Sequence, residues 1–280
     1  MQDQSARRTI IITGCSSGIG AYCAEALHQR GWRVFATARK DEDLDALAAK
    51  GLEAHYLDYA EPHSIAALVE TVMTKTGGRL DALFNNGAYA QPGAVEDLPV
   101  DALRAQFEAN FFGWHDLTRR IIPVMRAQGH GRIVHCSSIL GLVPMKWRGA
   151  YVASKFALEG LMLAARMELE GSGISVSMIE PGPIASRFTY NAASHARRNI
   201  DMEASVHRAL YARQMAKLES GGTKSKNKLG PDAVYKVLMH ALEAPRPRPH
   251  YLVTRPARLG VLARRLLPSR WLYRVLSDQS

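Results

Sequence analysis

Short runs of β-branched residues alternate with amphipathic stretches along the first two-thirds of the chain. Thr9 to Thr13 reads as a buried parallel strand, and Ala21 to Arg30, closed by Gly31, as the helix after it. The same pattern predicts strands over Arg33 to Ala38, Leu52 to Leu57, Ala82 to Phe84, Gly131 to Cys136 and Ile174 to Glu180. Helices are expected to open near Asp41, and to run from about Glu61 to Thr76, Val100 to Ala127, and through Tyr151 to about Glu170, stopped by Gly171 and Gly173. Strict strand–helix alternation requires helical crossovers. The expected fold class is therefore α/β, a Rossmann-type doubly wound parallel sheet of about seven strands with helices on both faces. No repeat or linker interrupts it before residue 184, so residues 1–280 read as one domain.

From Ile184 to Gly230 the pattern changes. Helical spacing from Ala204 to Leu218 gives way to a polar stretch, Ser220 to Lys228, with the composition of a mobile loop. This segment, 184–230, is expected to be made of helical pieces set apart from the regular alternation. A helix from Asp232 to Ala244 and a strand near Tyr251 to Val253 would complete the sheet. Residues 255–280 form an extension in which Leu259, Leu262, Leu266, Trp271, Leu272, Val275 and Leu276 recur at helical spacing among arginines.

Composition narrows the class without naming a function. The 280 residues are 47% hydrophobic and 22% charged, as in ordinary globular chains, and no run of eighteen apolar residues suggests a membrane span. The opening residues do not read as a signal peptide. Cys15, Cys23 and Cys136 have neither metal-ligand nor disulfide spacing, which suits a reducing cytoplasm, and no His/Cys/Asp cluster suggests a metal. The net charge of +10 is uneven: eight arginines and one acid lie between Pro245 and Ser280, leaving about +3 on the rest. Such a tail reads as a solvated basic face, or as a contact with an anionic membrane surface. Nucleic acid is disfavoured because no recognition module accompanies the charge.

Three stretches carry candidate chemistry. Thr13-Gly14-Cys15-Ser16-Ser17-Gly18-Ile19-Gly20 joins the first strand to its helix, where glycines let the backbone approach a pyrophosphate seated on the helix N-terminus. Arg39 follows the second strand, nineteen residues after Gly20, where an acid would hold the ribose of NAD. An arginine there suits the 2′-phosphate of NADP; as a solvated pair, Arg39-Lys40 would simply balance Asp41, Glu42 and Asp43. Tyr151 and Lys155, four apart, share one helix face, with Ser138 thirteen residues upstream of the tyrosine. A lysine beside a phenol is expected to draw its pKa down toward the working range of an acid/base catalyst, and a nearby serine could hold a substrate oxygen.

Taken together these motifs resemble the short-chain dehydrogenase/reductase family, closely over residues 8 to 187. They occur in order: Thr13-Gly14-x-x-x-Gly18-x-Gly20, Asp58, Asn85-Asn86, Asn110, Ser138, Tyr151-x-x-x-Lys155 and Pro181-Gly182. Cys-Ser-Ser in the glycine loop and Ala-Thr-Ala-Arg39 resemble the branch of 17β-hydroxysteroid and retinol dehydrogenases. The resemblance implies Tyr151 as general acid/base, Lys155 as its partner on the nicotinamide ribose, Ser138 on the substrate oxygen and Asn110 positioning a water in the proton relay. It implies Asp58 at the adenine ring, Asn86 with Gly87 at the cofactor ribose, and Pro181 and Gly182 facing the nicotinamide. Two features depart from the family: Gly87-Ala88 stands where Ala-Gly is usual, and Ser17 stands where NADP-preferring members often carry a basic residue.

The loop from Ser138 to Tyr151 is mostly apolar, so Leu140, Met145 and Trp147, with Phe188 beyond the sixth strand, are expected to line a pocket for an apolar ketone, aldehyde or alcohol. Tyr89 and Tyr190 are further candidates; Ile139 and Val143 read as core. The implied reaction is hydride transfer with NADP(H), NAD(H) being the alternative cofactor, in a homodimer or homotetramer built on the long helices. Competing readings are a non-catalytic NADP-binding sensor or scaffold and a 3-oxoacyl-type reductase.

Overall fold

The computed structural model describes residues 7–220 and 228–278. The polar stretch expected to be mobile therefore falls largely outside the described residues. Seven strands form one sheet: β1 (Thr9–Ile12), β2 (Arg33–Ala38), β3 (Glu53–Tyr56), β4 (Ala82–Asn85), β5 (Gly131–Cys136), β6 (Ile174–Glu180) and β7 (His250–Leu252). Their order is β3-β2-β1-β4-β5-β6-β7 and every pairing is parallel. The reversal of direction between β1 and β4 opens a crevice at the carboxyl ends of these strands, where α/β folds bind ligands. Burial follows position. Every residue of β1 and β4 is buried, whereas β3, at the edge, is half-exposed.

The helices are α1 (Gly18–Gln29), α2 (Asp41–Ala48), α3 (Pro62–Thr76), α4 (Val100–Phe107), α5 (Gly113–Gln128), α6 (Gly149–Glu168), α7 (Phe188–Asn199), α8 (Arg208–Glu219), α9 (Asp232–Glu243), α10 (Arg255–Leu266) and α11 (Ser269–Asp278). α1 packs with α9 on one face; α3, α5 and α6 cover the other. Pro62 opens α3 and left-handed Gly77 ends it, the usual asymmetry of helix termini.

Three elements differ from the sequence pattern. The helix expected from Val100 to Ala127 contains a π turn, Glu108–Phe112, between α4 and α5, and Asn110 lies on it. α7 has no apolar stripe to announce it. Its buried face is Ala192, Ala193 and Ala196, small residues that let it lie against Met215 and Leu218 of α8. The C-terminal stretch is two helices rather than one, because Pro268 cannot continue α10 and holds Leu267 extended (ψ 137°). No helix among the described residues is long and apolar enough to cross a membrane.

Candidate active site

The glycine turn is shaped by backbone meeting backbone. A Cβ on Gly20 would lie 2.3 Å from the Gly14 carbonyl oxygen, and one on Gly14 (φ 68°) would lie 2.5 Å from the Gly87 Cα. The swapped order Gly87-Ala88 thus puts the smaller residue where the β4 loop touches the turn. Below it, the Thr13 hydroxyl accepts from the amides of Asn86 (2.8 Å) and Gly87 (3.0 Å) and from the Tyr59 phenol (2.8 Å). The Asn86 side-chain amide donates to the carbonyls of Thr13 (3.0 Å) and Gly14 (3.3 Å). Asn86 therefore acts on the loop that would hold a nucleotide.

A dinucleotide fits these residues. The N-cap Ser17 makes no side-chain cap and the first turn of α1 has no acid, so the N–H groups there are left for an anion. Ser16 is exposed and Gly18 abuts Ser186. Arg187, which the sequence reading passed over, donates to the Ser16 carbonyl at 3.1 Å and brings a cation to the rim of the turn. No local motif marks it, because the contact joins residues 171 apart. Arg39 stands exposed at the end of β2, its guanidinium 3.5 Å from the Asp58 carboxylate at the end of β3. Asp58 also accepts from the Ala60 amide at 3.0 Å.

The catalytic candidates converge at the end of β5. Ser138 caps the short 3-10 turn Ile139–Gly141, accepting from the Leu140 amide at 3.0 Å, and its hydroxyl also meets the Tyr151 phenol. Tyr151 and Lys155 project from α6, both buried. Lys155 donates to the Cys136 carbonyl at 3.0 Å, with its ammonium 4.0 Å from the Trp114 ring centroid and 5.8 Å from that of Tyr151. Burial pushes the lysine down to about 8. The phenol does not follow the expected direction: burial raises it above the ordinary range, opposed by the Ser138 hydroxyl. Desolvation of the phenolate is the dominant cause.

Asn110 is buried, and its amide is committed: it donates to the Tyr89 carbonyl (2.9 Å), accepts from the Tyr89 amide (3.2 Å), and reaches Ser154 at 3.4 Å. Beneath Trp114, His135 stacks at 5.9 Å, and burial pushes it down to about 3, so it is a neutral packing group. The Pro181 carbonyl accepts from the Ile139 amide at 3.0 Å, and a Cβ on Gly182 would lie 2.2 Å from the Thr254 hydroxyl. These two residues are therefore already tied to the Ser138 turn and to the start of α10.

Of the expected pocket residues, Leu140 and Phe188 pack with Ala90 and Ala192 around Tyr151, the Phe188 ring 5.5 Å from the phenol ring. Tyr89 stacks on His195 of α7 at 4.2 Å. Met145 is exposed, as is Tyr190. Trp147 departs from its expected place. Its φ of 65° turns the indole toward α8, 5.4 Å from His207 and 5.2 Å from Tyr211, so it anchors the 184–230 segment and does not line the wall at Tyr151. The fold also gathers Glu159, Glu180 and His250, which lie far apart along the chain. There His250 Nδ1 and Glu180 share a hydrogen bond of 2.5 Å, and the Tyr251 amide donates to Glu180 at 2.9 Å, a brace between α6, β6 and β7.

Comparison with known proteins agrees with this arrangement. The family model described as short chain dehydrogenase matches residues 8–197. The uncharacterized oxidoreductase YbbO of Escherichia coli K12 is 37% identical over 270 residues, covering 96% of this chain and 94% of that protein. Human retinol dehydrogenase 8 is 35% identical over 194 residues, 66% of this chain and 61% of that one. Among solved structures, a short-chain dehydrogenase from Streptomyces avermitilis superposes with a TM-score of 0.78 at 28% identity, covering 94% of this chain and 93% of the other. A variant of actinorhodin polyketide ketoreductase, solved with NADPH, gives 0.72 at 26% identity, over 90% of this chain and 97% of the other. With the ordered motifs, the seven-stranded parallel sheet and the Ser138–Tyr151–Lys155 cluster, these matches establish that the chain belongs to the short-chain dehydrogenase/reductase family of oxidoreductases.

Proposed function

We propose that this oxidoreductase interconverts an apolar ketone or aldehyde and its alcohol, with NADP(H) preferred over NAD(H). The observation that carries the reading is the apolar wall of Ala90, Leu140, Phe188 and Ala192 packed directly around the Tyr151 phenol beside Ser138. An apolar wall with one hydroxyl pair selects a ligand that is greasy except for a single oxygen. When bound, NADP(H) supplies or accepts the hydride at the carbonyl carbon. Ser138 donates a hydrogen bond to the substrate oxygen. Tyr151 delivers the proton to that oxygen in reduction and removes it in oxidation. Lys155 favours the phenolate and holds the cofactor ribose. Asn110 serves the proton relay; since its side chain is committed to Tyr89, holding a water falls to its main chain on the π turn. Gly14, Ser16, Ser17, Gly18, Ile19 and Gly20 cradle the pyrophosphate, with Arg187 at the rim. Asp58, Asn86, Gly87, Pro181 and Gly182 border the remaining parts of the cofactor. Arg39 meets the 2′-phosphate, exchanging its weak contact with Asp58 for a full charge. The NADPH held by the actinorhodin ketoreductase variant supports that choice.

The same reading assigns 184–230 as a substrate lid within one domain over 1–280, and pairs subunits through α4 to α6, where Val100, Phe112 and Met167 are exposed.

Loss of reduced-nicotinamide absorbance tests the reaction, with NADPH and NADH in turn, against steroid, retinoid, aliphatic and acyl-thioester carbonyls. Wild type should turn over apolar carbonyls with NADPH, and Tyr151→Phe should lose about 10²–10⁴-fold in rate while still binding cofactor. Tight NADPH binding without turnover of any carbonyl would favour a sensor. Turnover confined to acyl thioesters would favour the 3-oxoacyl reading.

A further inference from the structure

α10 and α11 form an arm packed on the Ile139–Gly141 turn, and its two faces differ sharply. The inner face is seated. Ala257 is fully buried, Gly260 lies against Ile139 and Val143, and Arg264 donates to the Leu142 carbonyl with its guanidinium 5.4 Å from the Phe156 ring centroid. Leu272 is buried, and Lys146 donates to the Ser277 carbonyl at 3.3 Å, fixing α11. The outer face is apolar and uncovered. Leu259, Leu262 and Leu266, spaced three and four apart and so in one stripe, are 65%, 51% and 69% exposed. Trp271 and Val275, one turn apart on α11, are 58% and 43% exposed, and Tyr273 is 55% exposed.

Charge says what could cover such a face. Arg255, Arg258, Arg264, Arg265, Arg270 and Arg274 lie on the arm, and none forms an ion pair with a described carboxylate. No acid occurs between Arg255 and Ser277. Arg264 being held on the inner face, a second copy docking here would still bring five arginines against five. A surface that accepts leucines and offers regularly spaced negative charge meets both requirements, and tryptophan and tyrosine favour its boundary.

We infer that the α10–α11 arm docks the protein on an anionic phospholipid surface. Leu259, Leu262, Leu266, Trp271 and Val275 enter the acyl boundary, and the surrounding arginines meet the lipid phosphates. α10 rests on the Ile139–Gly141 turn that follows Ser138, so docking sets the loop flanking the catalytic hydroxyls close to the lipid. On the proposed reaction, apolar substrates dissolved in the bilayer would reach the site from there; the docking itself does not depend on that reaction.

Co-sedimentation of the full chain with phosphatidylglycerol-containing and pure phosphatidylcholine vesicles tests it, alongside a Leu262→Glu, Leu266→Glu double variant. Wild type should pellet with the anionic vesicles, weakly with the neutral ones, and less as salt is raised. The variant, altered only at exposed positions, should partition about tenfold or more weakly while keeping its melting temperature and its turnover of a water-soluble carbonyl. Wild type remaining in the supernatant with both vesicle types overturns the inference, as does a variant that binds as well as wild type. So does a wild-type oligomer that ignores vesicles and dissociates in the variant by light scattering, since the face then joins copies of the chain. An inactive protein that binds vesicles would leave the docking standing and remove only the proposed reaction.

Discussion

Lys155 carries the conflict between folding and chemistry in its clearest form. It is buried, with a carbonyl and an indole ring for company, and its charge is disfavoured enough to bring it down to about 8. An unfolded lysine titrates near 10.4, so below about pH 8 the folded state holds a charge at a cost of about 3 kcal/mol. That cost is relieved as pH rises from 8 toward 10.4, where the unfolded chain binds the extra proton. Lys155→Met should therefore be more stable than wild type by about 1–3 kcal/mol at pH 7, with the advantage shrinking by pH 10, and it should lose turnover. Denaturant unfolding at both pH values reads this; a difference that does not vary with pH would defeat the argument. Arg39 makes a separate case. Its long contact with Asp58 is exposed and holds it weakly. On the proposed cofactor choice, Arg39→Ala should raise KM for NADPH about tenfold or more and leave KM for NADH nearly unchanged, because a charge-assisted contact to phosphate is lost while the exposed pair with Asp58 contributes little. Equal changes for the two cofactors would remove Arg39 from the discrimination.

At the scale of elements, the site is held by joints that link distant parts of the chain. Thr254 is one of them. It is buried, caps α10 by accepting from the Ala257 amide at 3.2 Å, and fills the space where a Gly182 side chain would stand. Thr254→Ala should cost about 1 kcal/mol through the lost cap, measured as a lower denaturation midpoint with unchanged slope. Replacement by serine should recover most of it, because serine keeps the capping oxygen. A serine variant no better than alanine would assign the loss to packing of the methyl group. The helix interrupted at Glu108–Phe112 is a second joint: the π turn sets Asn110 against Tyr89 and Ser154, tying α4–α5 to the catalytic helix α6. Helical periodicity runs through such a turn almost unbroken, so the sequence pattern foresaw the helix but not its irregularity. Trp147 is the converse. Its type suggested a pocket wall, but the left-handed backbone at that residue sends it to α8.

For the whole molecule, two groups of exposed apolar residues bear on assembly, among others scattered over the surface. Val100, Phe112 and Met167 belong to α4–α6, and Leu259, Leu262, Leu266, Trp271, Tyr273 and Val275 to the C-terminal arm. The first region is proposed to pair subunits, and its failure can be told apart from that of the arm. Light scattering should give a dimer or tetramer, and Met167→Asp should shift it toward monomer without changing vesicle binding. A monomeric wild type would end the pairing proposal.

The strand positions and their parallel class, the nucleotide turn and the identity of the hydroxyl–lysine set were legible in the chain, whereas the order of the strands was not. Each rests on short-range rules: period-two and period-3.6 burial, glycine where backbone must touch backbone, and two side chains one helical turn apart. Even the exchange of Gly87 and Ala88 is intelligible once Gly14 is seen against it. What the tertiary structure alone decided are effects of surroundings. The phenol of Tyr151 rises because the fold dries it, Arg187 reaches the glycine turn across 171 residues, and Glu159, Glu180 and His250 meet from three separate elements. α7 is a helix because its alanines have α8 to lie on. Periodicity reports which face of an element is apolar; desolvation and long-range contact depend on what the folded chain sets against that face.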